Sequence, residues 1–584
     1  MMAAIFFAFG RAADPSSRPN EFLRRMTAAF PARSLRRILA VCLLATGLLQ
    51  AVEPLALRED DAPQRVAPGL VKGSHVKVFI PSLPYIFTSH SINAGLIRPS
   101  DNEQGWEYDM AVSHRQIDEK TYEFKLREGV QFQDGSPFDA DAVVLNMGYF
   151  KKKPTLYSKI HLVFDHAEKV DDYTVRFHLT EKYGSFLNDV IWTHFYTASY
   201  LEKFGWNGKS TCPNLAEPGP YGLGPYILRE GYVEGDRHTK EVVLEANPHY
   251  WDKRYPKVEK ITIFTELDSA KARDMALKEE GALDLMRLSP EDKIATILSP
   301  FAKLLTSPST NNITIHINMR NGNPRLMEKE VRVALNQAIH QANLLHFVYE
   351  GEGDLSAVGA SPNFPGVREV SQTLKPYSEV EDPCAPATQE RLKKILDGLE
   401  LRVFTQDHFL PLWRGIESQF RKVGVTLKVE VAPSEAEIFG TLLTTNARQN
   451  KTQWDLLAWG NDDWYFNHPF TFFLVYRTHD VWSTIFPDPV LDGDIEEMFR
   501  TAVAEPGFVP VCEKIMRRAY ENGYLLAVPA PGNVFAVNKE VVIHPYKMAC
   551  MPLWKIQVTG QHWSVRQGPY PESLRRPVQI IRLR

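Results

Sequence analysis

Residues 121–146 read TYEFKLREGVQFQDGSPFDADAVVLN, and this stretch carries more fold information than any other part of the chain. Tyr122, Phe124 and Leu126 alternate with Glu123, Lys125 and Arg127, the period of a strand with one buried face. Val130 and Phe132 resume that alternation after Gly129, so a second short strand is expected. Asp134-Gly135 supplies a turn and Pro137 stiffens its exit. Asp139 is placed to cap a helix whose apolar face would be Val143, Val144, Met147 and Phe150. The expected product is a ββα unit.

Working outward, residues 312–319 alternate strictly, with Ile313, Ile315, Ile317 and Met319 on one face. Val331, Leu335, Ala338, Ile339, Ala342 and Leu345 then recur at helical spacing. Residues 401–404 read as a strand, 410–422 as a helix stopped by Gly424, and 425–431 as a second strand. Such a βαβ unit pairs its strands in parallel through a right-handed crossover. Ser434 with Glu437 forms a capping box, and residues 454–459 form a further strand. Ligands favour the carboxyl ends of strands in sheets of this kind, and Asp462 lies just past one. The Pro-rich segment 361–386 reads as a surface loop, Trp413 as core, Arg332 as a structural ion-pair residue and the basic tail 573–584 as a solvated end.

A chain of 584 residues with 44% hydrophobic and 24% charged residues fits several ordinary globular domains. The formal net charge of −4 gives no electrostatic reason to expect nucleic acid or an anionic membrane as partner. The N-terminal region reads as a secretory signal over residues 1–51. Arg33, Arg36 and Arg37 make the basic part, residues 38–49 an apolar run too short to span a bilayer, and Ala51 precedes the cut. Met26 is an alternative start that would give the signal an ordinary length. The pair Arg36-Arg37 leaves twin-arginine export open, whereas the apolar run lies after Cys42, which argues against lipid anchoring. Of the remaining cysteines, Cys212 and Cys384 fall in loop-like sequence and are the first pair to consider for a disulfide; the alternative is that all are free. No metal-ligand spacing involves them.

The 121–146 stretch closely resembles the signature of the bacterial extracellular solute-binding proteins of family 5, the oligopeptide, dipeptide and nickel type of cluster C. Further landmarks follow in the family's order: Gly219-Pro220-Tyr221-Gly222-Leu223-Gly224-Pro225-Tyr226, then Asn247 with Tyr250-Trp251, then residues 268–284. Residues 312–319 with 331–339, and Trp459-Gly460-Asn461-Asp462, complete the set. Departures exist: the segment before the signature strand is Gly105-Trp106-Glu107-Tyr108-Asp109-Met110-Ala111-Val112, so this is a divergent member.

The resemblance implies a mixed α/β, two-lobed periplasmic-binding-protein fold of type II with an extra subdomain in the first lobe. Residues 52–319 would form the first lobe and 320–528 the second, with 529–584 returning to the first. Hinge closure would enclose a ligand between the lobes. Asp462 resembles the aspartate that pairs with a peptide's α-amino group, and a one-residue shift of the match would give that role to Asp463. Trp459, Trp464 and Tyr465 would wall the pocket, because aromatic rings supply apolar area at little entropic cost. Arg320, near the hinge, would meet a ligand carboxylate or bridge the lobes, and Tyr85 corresponds loosely to a cleft-facing position. His468, before Pro469, reads as structural.

No G-x-S-x-G, H-E-x-x-H, Walker or dinucleotide fingerprint occurs in the sequence. The expected function is therefore binding, without catalysis or cofactor. The chain would be a monomeric periplasmic component of an ABC importer that delivers a peptide or similarly sized polar solute to membrane permease subunits. A nickel or metallophore-chelate receptor is the main alternative, and a secreted hydrolase a weaker one.

Overall fold

The computed structural model describes residues 66–81, 84–152, 160–205, 217–234, 237–445, 453–461, 467–548, 550–578 and 581–582. The chain enters on strand β1 (Val71–Phe79) and builds a separate four-stranded sheet from β2 (Ala111–Asp118), β3 (Thr121–Leu126), β4 (Phe164–Asp171) and β5 (Thr174–Leu179). It then returns to β1 through β6 (Tyr226–Glu230), β7 (Glu241–Ala246), β8 (Val258–Phe264), β9 (Leu285–Arg287) and β10 (Ala302–Ser307). A second part follows on β11 (Asn312–Ile317), β12 (Glu400–Thr405), β13 (Thr426–Val431), β14 (Leu456–Asn461) and β15 (Leu525–Leu526). Finally β16 (Asn533–Asn538) and β17 (Ile581–Arg582) rejoin the first part.

The resulting sheets define two lobes. The first holds the eight-stranded order β6-β7-β8-β1-β9-β16-β10-β17, and the second the five-stranded order β13-β12-β14-β11-β15. The antiparallel sheet β2-β3-β5-β4 is the extra subdomain of the first lobe. β12 and β13 pair in parallel across the helix Leu410–Phe420, as the βαβ pattern requires. Gly424, at φ 84°, supplies the left-handed turn between that helical segment and β13.

Within the 121–146 stretch, β3 forms with Tyr122, Phe124 and Leu126 buried. The helix Ala140–Lys151 is capped by Asp139, whose carboxylate accepts from the Ala142 amide at 3.0 Å. Its inner face is Val143, Asn146, Met147 and Phe150, while Val144 is only half-buried. The second expected strand does not form. The Asp134-Gly135 turn closes so tightly that Phe132 N donates to Ser136 O at 2.8 Å, leaving a single bridge between Gln131 and Pro137. Val130 and Phe132 are nevertheless buried.

The first boundary between lobes also shifts from its expected place at 319/320. β11 pairs with β14 and β15, so its hydrogen bonds belong to the second sheet, and the chain crosses at residues 308–311. All six residues of β11 are buried, because it lies inside the sheet with both faces covered; alternation alone suggested one covered face. The return crossing runs between β15 and β16. The basic tail is not simply a solvated end: Ile581 and Arg582 add an edge strand in parallel with Leu305 and Thr306 of β10.

Buried polar groups tie these parts together. Asp284 accepts from the Lys77 amide, Asn538 Nδ2 and Trp563 Nε1, all at 2.9 Å, joining β1, β16 and the C-terminal segment. Arg332 is buried, but it forms no ion pair among the described residues. Instead its guanidinium donates to the carbonyls of Leu326, Met327 and Asn522, the last closing the helix Phe508–Asn522 where the dipole favours a cation. Cys384 is exposed and free, Cys512 and Cys550 are buried and free, and Cys212 lies outside the described residues. No helix among the described residues is long and apolar enough to cross a membrane.

Candidate functional site

The two crossings run side by side and are braced against each other. Asn533, at the start of β16, donates through Nδ2 to Ser307 Oγ at 3.3 Å and to the Pro308 carbonyl at 3.1 Å, while its Oδ1 accepts from Arg287 at 3.0 Å. Gly532 N donates to the Glu352 carbonyl. A Cβ at Gly532 would approach Gly353 N and Ser307 O to 3.3 Å, so a residue without a side chain lets the strands pass this closely. Glu352 in turn pairs with Lys293 of the first lobe at 2.7 Å, both groups largely buried.

Beside these crossings lies a cleft of about 450 Å³, within the size range of small-ligand sites. The first lobe contributes Arg287, at the end of β9, with the loop after it. The second lobe contributes His408 and Phe409 beyond the carboxyl end of β12, Gly460 near the end of β14, and Tyr349 at the end of the helix Gln341–Tyr349. Parallel strands with helices packed behind them leave their carboxyl ends open in this way. Asn311 and Asn312 of the crossing form part of the wall. Asn312 is committed internally, accepting from Ser361 N and donating to Thr310 O. The Asn311 Oδ1 is buried and has no hydrogen-bond partner among the described residues, which carries a desolvation cost. Partial desolvation by the surrounding protein lowers the pKa of the His408 imidazole, whose side chain stays exposed at the cleft rim, with Asp407 opposing the shift, and burial raises the Tyr349 phenol. The cleft thus combines cationic, imidazole and amide groups with the carboxylates of Glu291, Glu350 and Glu352 and with aromatic area.

The expected site residues fall in different places. Asp462, Asp463, Trp464 and Tyr465 lie outside the described residues, directly after Gly460 and Asn461 in the chain. Tyr85 belongs to the helix Pro84–Ile92, with its side chain outside the description. Trp459 is half-buried in an aromatic cluster: it stacks on Trp482 at 5.4 Å and meets Phe439 edge-on at 5.3 Å. Arg320 follows the other end of β11 from Asn312 and donates to the Thr478 carbonyl. His468 is structural: Nδ1 accepts from Phe470 N at 3.1 Å and Nε2 meets Ser185 Oγ at 2.9 Å. Trp413 is core, its indole donating to Thr405 Oγ1.

Arg287, Asn311, Tyr349 and His408 escaped the sequence reading. His408 carried a usable signal, since it follows the carboxyl end of the first strand of the βαβ unit. The others become neighbours only because the two crossings run together.

Comparison with known proteins agrees with this architecture. The profile of the bacterial extracellular solute-binding proteins, family 5, matches residues 105–482. Di/tripeptide-binding protein 1 of Pseudomonas aeruginosa is 24% identical over 346 residues, 53% of this chain and 60% of its own, so the alignment spans less than two thirds of that relative. Glutathione-binding protein GsiB of Pectobacterium atrosepticum is 24% identical over 398 residues, 65% of this chain and 72% of its own. Among solved structures, NikA from Brucella suis in complex with Fe(III)-EDTA superposes with a TM-score of 0.69 at 20% identity, covering 83% of this chain and 100% of that one. AppA from Clostridium difficile gives 0.68 at 18% identity, with 83% and 100% covered. These likenesses carry the fold, a mixed α/β two-lobed binding-protein architecture. Because the family profile covers more than half of the chain, the protein belongs to the family 5 bacterial extracellular solute-binding proteins.

Proposed function

We propose that this protein captures a peptide or similarly sized polar solute in the cleft between its lobes and hands it to the permease of an ABC importer after export through its N-terminal signal. The observation that carries the reading is the cleft itself, set at the carboxyl ends of β12 and β14 and bounded by both crossings. A ligand bound there would touch both lobes, so its binding energy favours closure. Arg287 suits a ligand carboxylate. Asp462 would meet a terminal amine, with Trp464 and Tyr465 walling the pocket; Asp463 is the alternative acid.

Calorimetry tests the assignment. Asp462→Ala is expected to weaken a free-amine peptide at least tenfold, about 1.4 kcal/mol; unchanged affinity removes Asp462 from the site. A metal-chelate ligand is the second reading, favoured by the joint presence of Arg287 and His408 on the cleft wall. Mass spectrometry of solute co-purified with the mature chain separates the two.

A further inference from the structure

The extra subdomain carries a group of metal-binding side chains that the solute cleft does not use. β4 and β5 are antiparallel neighbours, and their register sets His166 opposite His178. The two imidazoles stand on the outward face of the sheet, stacked at 4.4 Å with an interplanar angle of 8°. Glu168, two residues along β4, shares that face, and one ligand atom from each of the three residues lies within 4.8 Å of the others. Ala167 and Phe177 between them turn to the core instead. An irregularity between Phe164 and His166 sets Asp165 beside His166.

The details of the hydrogen bonding favour an ion. Asp165 Oδ2 lies 2.9 Å from His166 Nδ1, so that nitrogen carries the proton and Nε2 keeps its lone pair, the carboxylate–histidine arrangement that orients metal ligands. His178 Nε2 is buried, and its nearest partner among the described residues is Glu168 Oε1 at 3.2 Å, an ion-pair contact whose geometry is poor for a hydrogen bond. The 3.2 Å between those two atoms matches a shared ion, since bonds of about 2.0–2.1 Å in a tetrahedron set ligand atoms about 3.3 Å apart; the parallel imidazoles, whose lone pairs lie in the ring planes, would tilt towards each other to bind it. Arg176 lies 3.5 Å from the same carboxylate oxygen.

A comparable group of His340, Asp382 and Cys384 lacks this preparation. His340 Nδ1 accepts the Asn343 amide as a helix cap, so its proton sits on Nε2 and a metal there would have to displace it or break the cap.

We propose that His166, His178 and Glu168 form a site for a divalent transition-metal ion, of which Zn²⁺ is the representative, with Asp165 holding His166 in the ligating tautomer and water completing the coordination. Imidazole and carboxylate donors match zinc, nickel and copper, and the exposed face leaves a position open.

Calorimetric titration of the tag-free, chelator-stripped mature chain with ZnCl₂ tests it. One site is expected, weakened at least tenfold by His166→Ala and by His178→Ala, weakened to a smaller extent by Asp165→Asn, and unchanged by Cys384→Ser. Circular dichroism confirms that each variant is folded. Absence of zinc binding in the unsubstituted chain, full binding in both histidine variants, or loss in Cys384→Ser overturns the proposal. Solute affinity in the cleft is measured in parallel and is expected to survive both histidine substitutions, so failure of either reading shows separately.

Discussion

At the scale of single residues, buried polar groups set the sharpest constraints. Arg332 satisfies three carbonyls at once, two before its own helix and one at the end of another. Arg332→Ala strands those acceptors in the interior, and each charge-assisted bond lost outweighs a neutral one. Urea unfolding is expected to show a loss of roughly 3 kcal/mol, the upper end for leaving buried acceptors unsatisfied. The sequence placed Arg332 on a helix between apolar positions, which made burial legible. It could not say whether a carboxylate or carbonyls would meet the guanidinium, because Asn522 lies 190 residues away.

At the scale of elements, local signals were strong wherever the partner lay close in sequence. Asp139 is such a case, capping its helix by reaching three residues ahead. Asp139→Ala is expected to lower stability by about 1 kcal/mol, measured by the same unfolding. The 128–138 segment shows the opposite limit. Its alternation was correctly read as burial of Val130 and Phe132, yet a strand needs a partner, and the turn leaves only one bridge there. The βαβ unit was fully legible, because parallel pairing follows from connectivity, whereas the placement of β11 depended on which distant strands offered it hydrogen bonds.

At the scale of the molecule, the lobes meet again beyond the crossings. Gly184 N donates to the Phe499 carbonyl at 2.7 Å, and Asn467 Nδ2 reaches the Glu103 carbonyl. A Cβ on Gly184 would stand 2.3 Å from the Thr501 backbone, so no side chain fits this contact. Gly184→Ala is expected to disfavour this arrangement of the lobes and weaken solute binding, by ~1–3 kcal/mol if the whole packing penalty falls on the closed state. Calorimetry with X-ray scattering checks it: the variant should be more open without ligand, and unchanged scattering and affinity would contradict the idea. His468 lies at the same contact, and burial pulls its pKa down to about 3. The unfolded chain takes up that proton near pH 6.5, so between about 6.5 and 3 the unfolded state binds more protons. Stability should therefore be intact above pH 6.5 and fall as the solution is acidified. His161 and His316, lowered by burial to about the same value, act in the same direction. Unfolding measured at pH 7 and pH 5 should show a smaller acid loss in His468→Gln than in the unsubstituted chain.

The sequence by itself determined the fold class and the family, because alternation, caps and turns are local and their order along the chain survives divergence. It also singled out the carboxyl end of β14 as the region of interest, since parallel strands leave that edge open. Tertiary structure alone decided where the lobes divide, that Arg320 meets the Thr478 carbonyl, and that Arg287, Asn311 and His408 share one cleft. Those facts depend on which strands pair across more than a hundred residues of chain. Pairing of that range is selected by the packing of the whole molecule, so no short stretch encodes it.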